Sequence, residues 1–302
     1  MLNPPLASPG RVLRELMAED TVLLPGVFNA LSAKVAADQG AKALYISGAG
    51  VTNANLAVPD IALITMTEMA QFASLIVQAT SVPCIADADT GYGDALNVRR
   101  TVHEFERAGL AGLHLEDQVS PKRCGHLDGK EVVPTQDMAK KVLAAVESKA
   151  DSDFLIIART DARGVESLDA AIERAKAYVD AGADAVFPEG LTSEAEFEAF
   201  RKALDVPLLA NMTEFGKTPI LGLNRFKELG YNLVIFPMTA FRVMLKAISE
   251  AYAELIGSGT QAALLERMHT RTQLYGTVEY AAFEALDRNW SERIEDRSAD
   301  PG

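Results

Sequence analysis

Residues 83–117, PCIADADTGYGDALNVRRTVHEFERAGLAGLHLED, decide the fold. An apolar run ends in two aspartates, a Gly-containing turn follows, a segment of helical length closes on Gly109, and a second apolar run ends in Glu116 and Asp117. This is the pattern of a strand, a crossover helix and a parallel strand. Outward from it the same unit recurs. The other apolar runs are VLLPGVF from Val22, KALYISG from Lys42, FLIIARTD from Phe154, DAVFPEG from Asp184, VPLLANMTE from Val206 and NLVIFP from Asn232, eight runs in all, each followed by a helix candidate.

Four of the helices end on a glycine just ahead of the next run, at Gly40, Gly109, Gly182 and Gly230. The residue that closes a helix often needs positive φ, which glycine adopts without steric cost. Eight such units predict a closed (β/α)₈ barrel rather than a doubly wound open sheet. A chain of 302 residues is long enough for two domains, but barrels of this class commonly use that length as one. We therefore read residues 1–302 as a single barrel domain. An extra N-terminal helix is expected near residues 11–18 and a C-terminal helical extension over about 259–290. The charged residues 291–302, SERIEDRSADPG, read as a frayed tail.

Hydrophobic residues make up 48% of the chain and charged residues 24%, an ordinary globular composition. The net charge of −13 opposes phosphate backbones and anionic membranes, so neither nucleic acid nor membrane is an expected partner. A small anionic substrate stays compatible with that charge if a few Arg and Lys converge in a cleft and a divalent cation offsets the acids there. The two cysteines, Cys84 and Cys124, give no disulfide framework, and no apolar run approaches a membrane span. A cytoplasmic protein is expected.

In a barrel of this class the site is built at the C-terminal strand ends, so polar residues there are the candidates. They are Asp87 and Asp89, then His114, Glu116 and Asp117, then Arg159 and Asp161, then Glu189, then Asn211, Thr213 and Glu214, with Arg242 after the last strand. Two residues apart on an extended strand, Asp87 and Asp89 share a face, and paired carboxylates suit Mg²⁺ or Mn²⁺. The plainer reading is a solvated acidic turn that caps a helix; Asp60 and Glu116 weigh against it. Arg159 and Glu189 read either as a structural ion pair or, with Arg242, Asn211 and Thr213, as a carboxylate-binding set.

The most specific motif is PKRCGH at residues 121–126. A thiol at Cys124 among Lys122, Arg123 and His126 is expected to have a depressed pKa and to pass protons. An incidental surface cysteine is the bland alternative. A zinc site of Cys124, His126 and His114 lacks the usual ligand spacing.

Taken together, SGAG at 47–50, DADTGYG at 87–93, LHLEDQ at 113–118, KRCGH at 122–126, IIARTDA at 156–162, FPEG at 187–190 and LANMTEFGKTP at 209–219 resemble the isocitrate lyase and phosphoenolpyruvate mutase superfamily over nearly the whole chain. Within it, LANMTEFGKTP, the short KRCGH loop and the compact length are similar to the methylisocitrate lyases rather than to the much longer isocitrate lyases. Members lacking the Cys loop include phosphonate mutases and hydrolases and an oxaloacetate decarboxylase.

The resemblance implies a carbon–carbon lyase for a di- or tricarboxylate, with Mg²⁺ on Asp87 and Asp89 and with Asp60 and Glu116 acting through water. It implies Cys124 as catalytic acid, kept poised by Lys122 and His126. Substrate contacts implied are Ser47, Gly48, Ala49, Gly125, His126, Arg159, Glu189, Asn211, Thr213 and Arg242. Arg271, in MHTRTQLY, would come from a neighbouring subunit of a homotetramer whose C-terminal helices swap. Tyr45, Glu116 and a metal-bound hydroxide are all candidates for the initial base. Where some relatives carry SGG, this chain has Ser47-Gly48-Ala49, which narrows that approach by one methyl group.

Overall fold

The computed structural model describes residues 6–123, 125 and 129–299. Eight strands are present: β1 (Val22–Val27), β2 (Leu44–Ile46), β3 (Cys84–Asp87), β4 (Gly112–Glu116), β5 (Leu155–Thr160), β6 (Ala185–Pro188), β7 (Leu209–Asn211) and β8 (Leu233–Phe236). All pair in parallel, in the order β6-β5-β4-β3-β2-β1-β8-β7. A single bridge between Val186 and Leu208, with the Val186 amide donating to the Pro207 carbonyl at 3.0 Å, brings the two ends together and closes the ring. The fold is the (β/α)₈ barrel expected from the repeat.

The helices of the barrel are α1 (Pro9–Glu19), α2 (Ala30–Asp38), α3 (Gly48–Leu56), α4 (Met66–Gln78), α5 (Ala95–Arg107), α6 (Thr135–Glu147), α7 (Leu168–Asp180), α8 (Glu194–Ala203) and α9 (Leu223–Glu228). Gly40, Gly109, Gly182 and Gly230 all have positive φ, between 77° and 101°, as their place at helix ends required.

The strict two-residue alternation of the strands sorts their side chains into two layers. Leu44, Ile46, Ala86, Leu113, Leu115, Ile156 and Ala158 face outward and pack with α4, α5 and α6 through Met69, Ala73, Val98, Val102, Phe105, Met138 and Val142. Val186, Ala210 and Val234 face outward in the same way against Phe197, Phe200 and Phe226. The alternate positions Leu24, Tyr45, Ile85, Leu155, Ile157, Phe187, Leu209, Leu233 and Ile235 fill the barrel interior. Gly26 is the one place where β1 must have no side chain, because a Cβ there would lie 2.1 Å from the Pro237 carbonyl.

Helix α1 belongs to this inner cluster. Ser8 caps it, Pro9 starts it, and Leu13 and Met17 are buried with Val22, Ala111 and Leu155 at the N-terminal ends of the strands. Arg14 fixes it there by donating to the Asp153 carbonyl at 2.8 Å and to Asp184 at 2.7 Å. With that end plugged, the interior opens only at the C-terminal ends.

Residues 4–243 form one compact unit, and a second comprises the chain from Met244 onward. Helix α10 (Thr239–Ser258) leads into it; a 3₁₀ turn (Ala262–Arg267), α11 (Arg271–Thr277) and α12 (Tyr280–Ala299) follow. The stretch read as a tail is helical as far as Ala299. Among the described residues no helix is long and apolar enough to cross a membrane.

Candidate active site

The inward alternation continues past the apolar layer, and this continuation is what builds the site. Going from Tyr45 on β2 to Asp87 on β3, His114 and Glu116 on β4, Arg159 on β5, Glu189 after β6 and Asn211 on β7, each residue shares the inward parity of the core residue two positions before it or replaces that residue. Tyr45, Asp87, Arg159, Glu189 and Asn211 line a cavity of about 630 Å³ at the C-terminal mouth, with His114 and Glu116 buried behind them. Tyr45, Ser47, Ala49, Asp60, Asp87, Lys122, Gly125, Arg159, Glu189, Asn211, Thr213 and Arg242, all singled out from the sequence, line it. Phe187, Ile235, Pro237 and Met238 supply an apolar wall.

Arg159 is buried at the floor and held by three carboxylates. Its Nε lies 2.9 Å from Asp161 and 3.2 Å from Glu116, and its Nη2 lies 3.5 Å from Glu189. The guanidinium also sits 5.0 Å over the Phe187 ring. Asn211 donates to Glu189 at 3.0 Å, while its buried Oδ1 has no hydrogen-bond partner among the described residues. Arg242 is committed differently from Arg159. Its Nη1 donates to the Glu214 carboxylate at 2.6 Å and to the Glu214 carbonyl at 2.9 Å, with the Thr213 hydroxyl at 3.4 Å.

Asp89 corrects the expectation of two carboxylates on one strand face. Strand β3 ends at Asp87, and Asp89 has left-handed backbone with φ 49°. The turn is tied back to the strand by its own amide, which donates to Asp87 Oδ1 at 2.8 Å. The Asp89 carboxylate consequently meets Lys122 at 2.8 Å, and Lys122 reaches Asp60 at 2.7 Å. Lys122 thus lies inside the acidic group, with only 4% of its side chain exposed.

On the opposite wall, Ser47 caps α3 by accepting from the Gly50 amide at 3.1 Å. The first turn of α3 runs so close to β3 that a Cβ on Gly48 would lie 2.6 Å from Asp87 Oδ2. The positive end of this helix therefore stands beside the Asp87 carboxylate.

Burial sets the protonation states of the group. It opposes ionisation of Asp87, but His114, Lys122 and Arg159 outweigh it and hold that carboxyl below the usual range. For Asp89 burial wins over Lys122 and raises the carboxyl to about 6. Burial also pushes Glu116 well up despite Arg159, and one oxygen of Glu116 has no hydrogen-bond partner among the described residues. His114 is pushed down to about 4 by burial and is neutral near pH 7. Its Nε2 lies 2.9 Å from the Tyr45 hydroxyl, whose own pKa burial drives well above the ordinary value.

Cys124 and His126 lie outside the described residues, and with them the zinc alternative. Among the described residues no three His, Cys, Asp or Glu side chains come close enough to hold a metal by themselves.

The family model described as phosphoenolpyruvate phosphomutase matches residues 13–256. A protein of Aeropyrum pernix named 2-methylisocitrate lyase is 51% identical over 297 residues, covering 98% of this chain and 96% of its own.

The chain belongs to the phosphoenolpyruvate mutase and isocitrate lyase superfamily.

Two solved members align over almost their full length. A 2,3-dimethylmalate lyase superposes with TM-score 0.88 at 35% identity, over 94% of this chain and 96% of that one. A phosphonopyruvate hydrolase in complex with oxalate and Mg²⁺ gives TM-score 0.84 at 28% identity, over 93% and 98%.

Two residues beside the cavity, Met238 and Lys130, carry no sequence signal as site residues, and His114 carries only a weak one. His114 was noted only as a strand-end residue and a weak zinc ligand, although its parity with Glu116 already placed it facing inward. Met238 was not considered; it lines the cavity and receives the Ser47 hydroxyl at 3.5 Å. Lys130 carries no motif at all, yet its buried ammonium reaches Asp161 at 2.9 Å and also donates to the Gly125 carbonyl. Only the folded loop reveals it.

Proposed function

We propose that this superfamily lyase cleaves the C2–C3 bond of 2-methylisocitrate to give pyruvate and succinate, in an Mg²⁺-dependent reaction. The observation that carries the reading is the make-up of one cavity. Asp87, the N-terminus of α3 and Arg159 give it polar groups fit for a hydroxy-carboxylate, and Phe187, Ile235 and Pro237 give it apolar surface fit for the methyl group. The similarity to the Aeropyrum protein supports the same substrate.

The donor set fits a hard divalent cation. Asp87, Asp60, Asp89 and Glu116 offer only oxygens, Glu116 has a buried oxygen without a hydrogen-bond partner among the described residues, and no cage of three side chains is needed for an ion that keeps most of its waters. When bound, Mg²⁺ acidifies the substrate hydroxyl and offsets the carboxylates. Mn²⁺ shares that chemistry.

The protein's own groups do the rest. The amides of Gly48 and Ala49 and the Ser47 hydroxyl receive the carboxylate of the pyruvate half at the positive helix end. Arg159, locked by its three acids, orients the dianion without reorganising. Tyr45 lines the cavity with its hydroxyl 2.9 Å from His114 Nε2, so it relays the substrate's hydroxyl proton, accepting it as its own phenolic proton passes to the unprotonated Nε2 of His114; Glu116 does not line the cavity and is bonded to Arg159. As C2–C3 breaks, its electron pair stays on the succinate carbon, and Cys124 delivers the proton that completes succinate. A homotetramer, with Arg271 reaching a neighbouring site, is part of the same proposal.

The test is kcat/KM for 2-methylisocitrate, isocitrate, 2,3-dimethylmalate and oxaloacetate at one Mg²⁺ concentration. One methyl group in an apolar pocket is worth about 10 to 200-fold, so isocitrate is expected to be poor rather than inert. Equal rates, or preference for another of the four, refute the substrate. Cys124→Ser is expected to fold and to lose at least about 100-fold in kcat, the scale of a general acid.

A further inference from the structure

Lys122 is a buried cation in an unusual position. Its ammonium touches Asp60 at 2.7 Å and Asp89 at 2.8 Å, and Asp87 lines the same cavity wall. Among the described residues, Arg159 at this floor is engaged by Glu116, Asp161 and Glu189, and Lys130 by Asp161. Among the described residues, the ion pairs of Asp60 and Asp89 are made by Lys122, beside Asp87 on the wall of the same cavity. These are also the carboxylates that the proposed divalent cation would draw on, directly or through water.

We propose that Lys122 is a built-in counter-cation that competes with the divalent metal for the shared carboxylates. A monovalent ammonium and a divalent ion attract the same acids and repel each other in a buried setting where water screens poorly. By linkage the penalty is reciprocal: the metal loosens the hold on Lys122 as much as Lys122 weakens the metal. Metal loading is thereby coupled to the anchorage of the Lys122 side chain itself. The role is that of a positioning residue. The inference rests on the divalent-metal reading of the site, not on the identity of the substrate.

The sign of one measurement decides it. If Lys122 competes, Lys122→Met, which keeps the stem and removes the charge, binds Mn²⁺ more tightly than wild type by about tenfold or more, the usual size of a coupling between sites. Lys122→Arg, which keeps the charge, stays close to wild type. Mn²⁺ dissociation constants from electron paramagnetic resonance of the full-length proteins, without substrate, give the readout free of turnover.

Weaker or unchanged binding in Lys122→Met means that the lysine is a scaffold for Asp60 and Asp89, and overturns the competition while leaving the metal site in place. No Mn²⁺ binding by wild type or variant overturns the metal reading and this inference with it. A Lys122→Met protein that folds only when Mn²⁺ is present supports competition, because the ion then replaces the missing charge. One that folds under neither condition refutes it.

Discussion

Gly48→Ala probes the closest approach in the site. Gly48 opens α3, and an added Cβ would stand 2.6 Å from Asp87 Oδ2 and 2.9 Å from Asp87 Cγ, where ordinary contact begins at 3.4 Å. The carboxylate oxygen must retreat by about 0.8 Å, or α3 must move away by as much. Neither loss should unfold the barrel. Crowding of this kind costs about 1 to 3 kcal/mol, and alanine in a helix returns about 0.5 to 1 kcal/mol relative to glycine. Function is far more exposed, because a displacement of about 1 Å at reacting groups is worth about 100-fold in rate. The expected outcome is a protein with a near-native thermal transition and kcat for the proposed cleavage reduced about 100-fold, with a higher Mg²⁺ concentration needed for half activity. Steady-state kinetics over an Mg²⁺ series, beside a melting curve, supply both quantities. Activity within about threefold of wild type would refute the claim that this contact fixes Asp87.

Other consequences are equally open to measurement. Arg159→Met leaves Glu116, Asp161 and Glu189 buried without their cation, and urea unfolding should show a loss of about 3 to 5 kcal/mol along with activity; a loss below about 1 kcal/mol would show that the acids simply protonate. Burial pushes the Cys84 thiol up to about 12, so iodoacetamide at about pH 8 should modify no more than one of the two cysteines in the native protein, and mass spectrometry finding carbamidomethyl on Cys84 would contradict that burial. The exposed Leu265, Leu274, Tyr275, Tyr280 and Phe283 of the C-terminal unit, with Tyr275 and Tyr280 stacked at 4.7 Å, are expected to be covered in a tetramer; light scattering that returns the 32.4 kDa of one chain would refute it.

The sequence alone determined the barrel and the level at which its site lies. Eight apolar runs with a glycine before several of them can bury their apolar faces only as repeated βα units, and polar residues that end such runs must then collect at one rim. Tertiary structure decided what each of those residues does. Asp89 was read as a strand neighbour of Asp87, but the chain turns left-handed there and hands its carboxylate to Lys122. Nothing in the sequence points from Lys122 to Asp60, 62 positions earlier in the chain, which only folding brings to it. Arg159 and Arg242 read alike as strand-end cations, yet one is fixed by three buried acids and the other is held by Glu214. Charges pair by distance in space and by the cost of leaving any of them buried alone, and neither quantity exists until the chain has closed.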